Sequence, residues 1–399
     1  EWGGRGVVRR VEAGLGEDGL VQCALAEKVD LVVVGPEGPL VDGVVDQMEK
    51  QGVLCFGPRQ NAAVLEGSKA FMKDFLARNG IPSAWYRTFS EVGPAKAFIE
   101  EKGVPIVIKA DGLAAGKGVI LAQTMSEAFE AVDNILEKRV FGDAGARIVI
   151  EEFLIGEEVS FFALVDGETA VPLASAQDHK AVGDGDKGPN TGGMGSYSPA
   201  PICTTAMAER IMESIVLPTA CGMAREGRPY RGVLYCGVMV TESGPKVLEY
   251  NVRFGDPECQ VLCQRLNSDI LELLMMTAQG RLMEVGDINW DPAAALIVIL
   301  ATQGYPGEYS KGSPIRGLEQ AQSLDDVFIY HSGTKKKPED PSDTFLANGG
   351  RVIGVTAKGP SVAAAQARAY QAVDLIDWPQ GFCRRDIGWR AVARERESG

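Results

Sequence analysis

The sequence has no CxxC pair, no long apolar run, no basic excess and almost no histidine. Each absence removes a class of protein. The eight cysteines, at 23, 55, 203, 221, 236, 259, 263 and 383, include one pair at helical spacing, Cys259 and Cys263, with no second pair to complete a metal cage. Scattered thiols of this kind are expected reduced, in a cytoplasmic protein. The longest unbroken apolar stretch, Ala293–Ala301, is far short of the ~20 residues that span a bilayer, and no charged-then-apolar segment of the secretory type opens the chain. Net charge is −14, from 40 basic against 54 acidic residues. That balance argues against nucleic-acid binding through a basic surface and leaves local basic sites for small anions open. No internal repeat or low-complexity tract is present. With 399 residues, 45% apolar and 24% charged, what remains is an ordinary globular chain of roughly two to four domains.

Of the two histidines, His331 has no partner nearby in sequence and reads as structural or surface. His179 lies in the most unusual stretch, Gln177–Pro199 (QDHKAVGDGDKGPNTGGMGSYSP), between Asp178 and Lys180 and ahead of six glycines. A loop this long without an apolar pattern is uncommon in a compact domain and is usually either functional or disordered. Its Gly183-x-Gly185-x-x-Gly188 matches a dinucleotide fingerprint in spelling alone, because no strand leads into it and Pro189 stands where a helix would begin.

Elsewhere strands and helices alternate. Val29–Val34, a helical Leu40–Lys50 and Val53–Phe56 make a βαβ unit. Ser68 is placed to cap a helix with Phe71, Met72, Phe75 and Leu76 on one stripe and Gly80 as its stop. Strands are expected at Val104–Lys109, Gly118–Ala122, Arg147–Leu154 and Glu158–Val165, and helices at Met125–Lys138, Thr204–Arg225 and Ile270–Gln279. Val233–Thr241 and Lys246–Arg253 read as a hairpin. From Ala293 the pattern restarts with strands, Arg351–Val355 among them, followed by a helix over Ser361–Ile376.

Three features carry chemistry. The turn Asp111–Gly118 is no Walker A loop: three residues, not four, separate Gly112 from Gly116-Lys117, and Gly118 replaces the Ser/Thr. A glycine-rich turn between two strands still lets backbone N–H groups approach phosphates, although a flexible hairpin tip has the same composition. On Lys246–Arg253, strand alternation puts Leu248, Tyr250 and Val252 on one face and Glu249, Asn251 and Arg253 on the other. A carboxylate and an amide oxygen about 6.6 Å apart along the strand suit one hard cation such as Mg²⁺; a solvated polar face is the alternative. Asp256 and Glu258 add two carboxylates at the following turn. Finally, Lys109 ends an apolar strand, where an ammonium is costly unless it faces a site, and Lys69 sits against the dipole in the first turn of its helix, which a bound anion would explain.

In their order along the chain these parts resemble an ATP-grasp ligase, and within that superfamily the phosphoribosylamine–glycine ligase (glycinamide ribonucleotide synthetase) family. The resemblance rests on GPEGPLVDG (35–43), EGSKAFMKDFLARNGIP (66–82), IVIKADGLAAGKGV (106–119), IVIEEFLIGEE (148–158), the 177–199 stretch and EYNVRFGDPE (249–258), with NGGRV (348–352) and CRRDIGWRA (383–391) similar to the family's last domain. It implies an α/β ATP-grasp fold: an N-terminal Rossmann-like parallel-sheet domain over 1–65, an ATP-grasp domain over 66–292 with a lid at about 87–155, and a C-terminal mixed α/β domain over 293–399. It implies ATP, glycine and 5-phosphoribosylamine as substrates, Mg²⁺ or Mn²⁺ as the metal, and a monomer with no nucleic-acid or membrane partner. For the residues, it implies Lys69, Lys109 and the turn with Gly112, Gly116, Lys117 and Gly118 on the ATP phosphates. Glu151, Glu152, Phe153 and Leu154 would line the adenine pocket, with Glu158 on the ribose and Glu249 and Asn251 on the metal. Asp178, His179, Lys180 and Arg253 would form the catalytic acceptor side. Asn190, Thr191, Gly192, Gly193 and Gly195 would give backbone donors to phosphate, and Glu37 would lie near phosphoribosylamine.

One departure stands out. The family opens with a strand and a GxGGREH-like loop, of which only Gly3-Gly4-Arg5 remains here, so the N-terminal domain is expected to be truncated, with ATP binding surviving better than ligation. The competing expectations are another ATP-grasp carboxylate–amine ligase, or an inactive nucleotide-binding remnant.

Overall fold

A computed structural model describes residues 16–113, 118–336 and 344–398. The opening Gly3-Gly4-Arg5 and two of the expected phosphate-turn residues, Gly116 and Lys117, lie outside them.

The first βαβ unit is present in a shortened form. Val32–Val33 pairs in parallel with Cys55–Phe56, and the expected single helix between them is two, Glu37–Asp42 and Val44–Lys50. Gly43 breaks it: at φ +97 it ends one helix and starts the next, a backbone conformation with little steric cost for glycine alone. Helix Gly16–Glu27 covers this unit through Val21 and Ala24.

Ser68 caps helix Lys69–Arg78 as its position demands, accepting the Phe71 N–H at 3.1 Å. Asp111 accepts from the Ser68 hydroxyl at 3.0 Å and from the Ala70 N–H at 3.1 Å. The start of the glycine-rich turn is thereby anchored to the helix that carries Lys69.

The segment expected as the lid forms a four-stranded antiparallel sheet in the order Tyr86–Phe89, Ile148–Glu152, Ile106–Ala110, Val119–Ala122. Strand alternation gives it two chemistries. Ile106, Ile108, Ala110, Ile148 and Ile150 face helices Val92–Lys102 and Met125–Val132 in a cluster of their own. Val107, Lys109 and Glu151 face the opposite way, into the cleft.

The cleft floor is a second antiparallel sheet, Gly244–Asn251, Arg231–Thr241, Glu157–Asp166, Thr169–Pro172. Its register shifts at Gly237 and Val238, which pair with Glu249 and Val247 and leave Leu248 as the extra residue. This bulge corrects the expected face of Leu248. Val247, Tyr250 and Val252 enter the core, whereas Leu248 joins Glu249, Asn251 and Arg253 at the cleft.

The 177–199 stretch is built structure rather than a loop. It holds strands Gln177–Asp178, Ala181–Gly183, Lys187–Asn190 and Gly195–Ser198. The middle two form a hairpin; the outer two join a six-stranded sheet with Ala294–Thr302, Arg351–Gly359, Val327–His331 and Gly381–Phe382. That sheet therefore joins strands from both sides of residue 293. Helix Val362–Val373 covers it with Ala365, Ala369 and Ala372, small side chains that allow close helix–sheet approach. Gly195 is needed here for close pairing: a Cβ would lie 2.5 Å from the Ile297 carbonyl.

Candidate active site

Lid, floor and the 177–199 stretch enclose a cleft of about 700 Å³. At one end lie the lysines. Lys69 Nζ donates to the Gly112 carbonyl at 2.8 Å. Lys109 Nζ donates to the Leu248 carbonyl at 3.0 Å, exposed by the bulge, and lies 3.1 Å from Glu151 Oε1. The other Glu151 oxygen, Oε2, lies 2.8 Å from Lys73, a fully buried lysine that sequence reasoning missed. Its signal was present: Lys73 is four residues from Lys69, on the inward side of a helix otherwise lined with Met72, Phe75 and Leu76. Burial pushes the pKa of both Lys69 and Lys73 down, against nearby carboxylates that hold it up.

Glu151 is thus the shared counter-ion of two ammonium groups, and its side chain is not free to contact a base. Glu152 points its carboxylate to Lys246 at 3.5 Å and gives its N–H to the Trp85 carbonyl. Phe153 and Leu154, just past the strand end, line the cleft. Gly112 and Gly118 also line it, and Gly112 sits at φ +136 with the place of a Cβ 3.0 Å from that of Ala144.

In the middle, Lys180 bridges Glu158 at 2.5 Å and Glu249 at 3.2 Å. Lys180 and Lys109 outweigh burial and hold the Glu249 carboxyl down at about 2. Burial works against the charge on Lys180, but Glu158 and Glu249 push its pKa well up. Asn251 lines the same wall.

At the far end Arg253 lies between Glu37, 3.1 Å away, and Glu66, 3.7 Å away. Burial raises Glu66 to about 7 despite Arg253 and the Val252 N–H it accepts at 2.7 Å. Asp178 has a buried Oδ1 without a hydrogen-bond partner, and burial together with Glu258 pushes its pKa well up. Glu258, noted in sequence only as a turn carboxylate, is buried and accepts from Tyr235 at 2.7 Å and Ser160 at 3.2 Å. Arg351 reaches the cleft from the C-terminal sheet, donating to the Gly192 and Asp256 carbonyls, each at 2.7 Å, and to Asp256 Oδ2 at 2.8 Å. No local motif marks it, because its partners are about 100 and 160 residues away.

Two expectations are corrected. His179 is not in the cleft. On an extended run its side chain points opposite to Asp178 and Lys180, and the imidazole is fully buried against Asp186 and Gly388. Nor do the glycines offer the expected phosphate donors. The N–H of Thr191 goes to the Lys180 carbonyl, that of Gly192 to the Tyr305 hydroxyl, and that of Gly193 to Thr191 Oγ1. Gly195 pairs with Val298 inside the sheet. Asn190, Thr191 and Gly192 do line the cleft, but their backbone serves the fold.

Lysines from a helix and a lid strand, facing a carboxylate and an amide on a second sheet, define an ATP-dependent ligase with the ATP-grasp fold. Family models described as phosphoribosylglycinamide synthetase match in all three parts: the N domain over residues 5–66, the ATP-grasp (A) domain over 67–259 and the C domain over 295–390. The chain is 55% identical over 377 residues to a phosphoribosylamine–glycine ligase of Brucella melitensis, covering 94% of this chain and 87% of the relative. It is 52% identical to that of Vibrio cholerae, covering 98% and 90%. The crystal structure of the Thermotoga maritima phosphoribosylamine–glycine ligase superposes with a TM-score of 0.75 at 33% identity, covering 84% of this chain and 81% of that one. The biotin carboxylase domain of Hydrogenobacter thermophilus 2-oxoglutarate carboxylase, in complex with MgADP, shares the fold at 17% identity, with a TM-score of 0.72 and coverage of 94% and 80%. The chain belongs to the phosphoribosylglycinamide synthetase family, whose activity serves purine biosynthesis. With all three domains represented, the reading as an inactive nucleotide-binding remnant is set aside. No described helix is long and apolar enough to cross a membrane.

Proposed function

We propose that the cleft ligates glycine to 5-phosphoribosylamine, giving glycinamide ribonucleotide, ADP and phosphate. A glycine carboxylate oxygen attacks the γ-phosphorus of ATP and ADP leaves. The phosphoribosylamine nitrogen then attacks the carbonyl of glycyl phosphate, the C–O bond to phosphate breaks, and the nitrogen gives up a proton. The work asked of the protein is alignment and charge neutralisation, with no protein nucleophile.

The observation that carries this reading is the charge layout: Lys69, Lys109, Lys180 and Arg253, from four separate segments, converge on one cleft with Glu249 and Asn251 in its wall. Lys69 and Lys109 take the ATP phosphates, together with the Asp111–Gly118 turn. The backbone of Glu152, Phe153 and Leu154 takes the base and Glu158 the ribose. Glu249 is ionised and Asn251 adds a second oxygen, but no group of three or more candidate metal-binding side chains occurs among the described residues. Such a donor pair fits a hard cation that arrives with the nucleotide phosphates, Mg²⁺ or Mn²⁺, and contributes charge neutralisation there. Arg253, released from Glu37 and Glu66, pairs with the glycine carboxylate or its acyl phosphate, for which a guanidinium fork is suited. Glu37 faces phosphoribosylamine, and the unpartnered Asp178 Oδ1 takes a hydrogen bond from the attacking amine beside Lys180. Eight free thiols support a reducing, cytoplasmic setting.

The test is ADP release measured with glycine and phosphoribosylamine, singly and together, beside other carboxylate–amine pairs. Release that needs both is expected; release with a different pair alone overturns the reading.

A further inference from the structure

We propose that His179 is a positioning residue, and that the C-terminal segment Arg384–Gly388 is the strut through which it sets Asp178 and Lys180. The inference rests on the placement of those two side chains in the acceptor side of the site.

The backbone of His179 is pinned from both sides: its N–H donates to the Gly195 carbonyl at 2.9 Å and its carbonyl accepts from Met194 at 2.8 Å. Its ring is pinned as well. Nε2 accepts the Gly388 N–H at 2.9 Å, which places the ring proton on Nδ1; that buried atom makes no hydrogen bond but faces Asp186 Oδ1 at 3.5 Å. Asp186 is in turn held by Arg384 at 2.9 Å and Arg390 at 2.5 Å. Arg384, 1% exposed, also donates to the Ala181 carbonyl at 3.1 Å and to both oxygens of Asp386 at 2.8 Å. Asp386 accepts the Gly185 N–H at 2.7 Å, and Asp184 accepts the Arg385 N–H at 2.8 Å.

None of these groups lines the cleft. They join a hairpin to a segment some 200 residues further along the chain, at the far side of the residue that separates two cleft side chains. A buried guanidinium is tolerated only when its donors are matched, and breaking one partner is strongly destabilising. The network therefore fixes one geometry rather than a range. An extended backbone transmits it, because a rotation of His179 tilts Asp178 and Lys180 together, and a misplacement of ~1 Å costs about a hundredfold in rate.

Three variants test this. His179→Gln keeps an acceptor for the Gly388 N–H, His179→Phe keeps the ring without one, and Asp186→Ala loosens the imidazole from a partly exposed position. At saturating ATP, His179→Phe is expected to lower kcat about 10- to 100-fold and raise KM for glycine or phosphoribosylamine, with KM for ATP within about twofold. His179→Gln should recover most of that loss, and Asp186→Ala should show a smaller loss in the same constants. A His179→Gln enzyme that folds and is as inactive as His179→Phe overturns the proposal in favour of direct proton transfer by the imidazole. Parent-like constants for Asp186→Ala overturn it even where the His179 variants do not fold. A parent chain without glycine-dependent ADP release refutes the reaction assignment instead.

Discussion

Glu151→Gln tests the electrostatic frame of the nucleotide end. One carboxylate serves two ammonium groups, Lys73 at 2.8 Å and Lys109 at 3.1 Å, and both lysine side chains are almost wholly withdrawn from water. Removing one partner of a buried ion pair costs about 3–5 kcal/mol. Glutamine retains one acceptor oxygen, so the lower end, about 3 kcal/mol, is expected. The sign with pH follows from Lys73, whose pKa burial already pushes down and Glu151 holds up. Without Glu151 it falls further, while the unfolded lysine keeps its ordinary value of about 10.4. Between the two values the unfolded chain binds more protons, so the variant gains stability relative to the parent as pH rises. ATP acts in the same direction, because its phosphates give Lys109 the anion it has lost. Thermal midpoints of parent and variant, near pH 7 and about pH 9.5, with and without ATP, measure all three. The variant should melt several degrees lower at neutral pH, and the gap should narrow at alkaline pH and again with ATP. An unchanged midpoint, or a gap indifferent to both pH and ATP, would refute the shared counter-ion.

Other consequences are simpler to measure. Lys109→Ala removes a charge-assisted contact of about 1.5–3 kcal/mol, so calorimetry should show ATP binding about 10- to 100-fold weaker; parent-like affinity contradicts its place on the phosphates. Glu249→Ala should raise the Mg²⁺ concentration for half-maximal turnover, and an unmoved metal titration removes it from the metal site. Glu66 is raised from 4.5 to about 7, so its protonated form favours the fold fully below about 4.5, and that contribution is lost as pH rises through about 7. Glu66→Gln should therefore flatten the fall in thermal midpoint between about pH 5 and 8, and an identical slope in parent and variant speaks against it.

What could be read from the sequence was what local physics decides. Ser68 as a cap needs only the next three residues, and the Ile270–Gln279 helix needs only its periodicity; both are where the pattern puts them. Lys69 and Lys109 stood out because each sits where its own element disfavours it, and both line the cleft. The shared frame of Lys73 and Glu151 could not be read the same way, since a lysine on a helix is ordinary until a sheet closes over it. Arg351 and the Arg384 network depend on partners 95 to 203 residues away. The 177–199 stretch looked like a loop because its strands are two to four residues long and glycine-rich. They carry too few side chains for an apolar alternation: Gly195–Ser198 pairs with Ala294–Thr302 and with Gln177–Asp178, and the middle two strands pair with each other.

The same rule explains what the strands place in the cleft and what they withhold from it. Successive residues on an extended chain face opposite ways, so a site built from strands receives every second side chain. Lys109 and Glu151 enter together because both lie on the face opposite the lid core. Glu249, Asn251 and Arg253 share a face for the same reason, and the bulge at Leu248 shifts the parity by one, turning a carbonyl toward Lys109 while Val247 stays in the core. A motif of three adjacent polar residues, Asp178-His179-Lys180, therefore cannot place all three in one cleft while the strand stays extended. The middle residue must face the body of the protein, where His179 Nε2 is matched by the Gly388 N–H and Nδ1 faces Asp186 at 3.5 Å without a hydrogen bond. Reading adjacency as a shared catalytic role assigns the imidazole to the reaction, whereas reading it through the strand period assigns it to the frame. Asp178 and Lys180 hold their places in the cleft because the residue between them is committed to the opposite face.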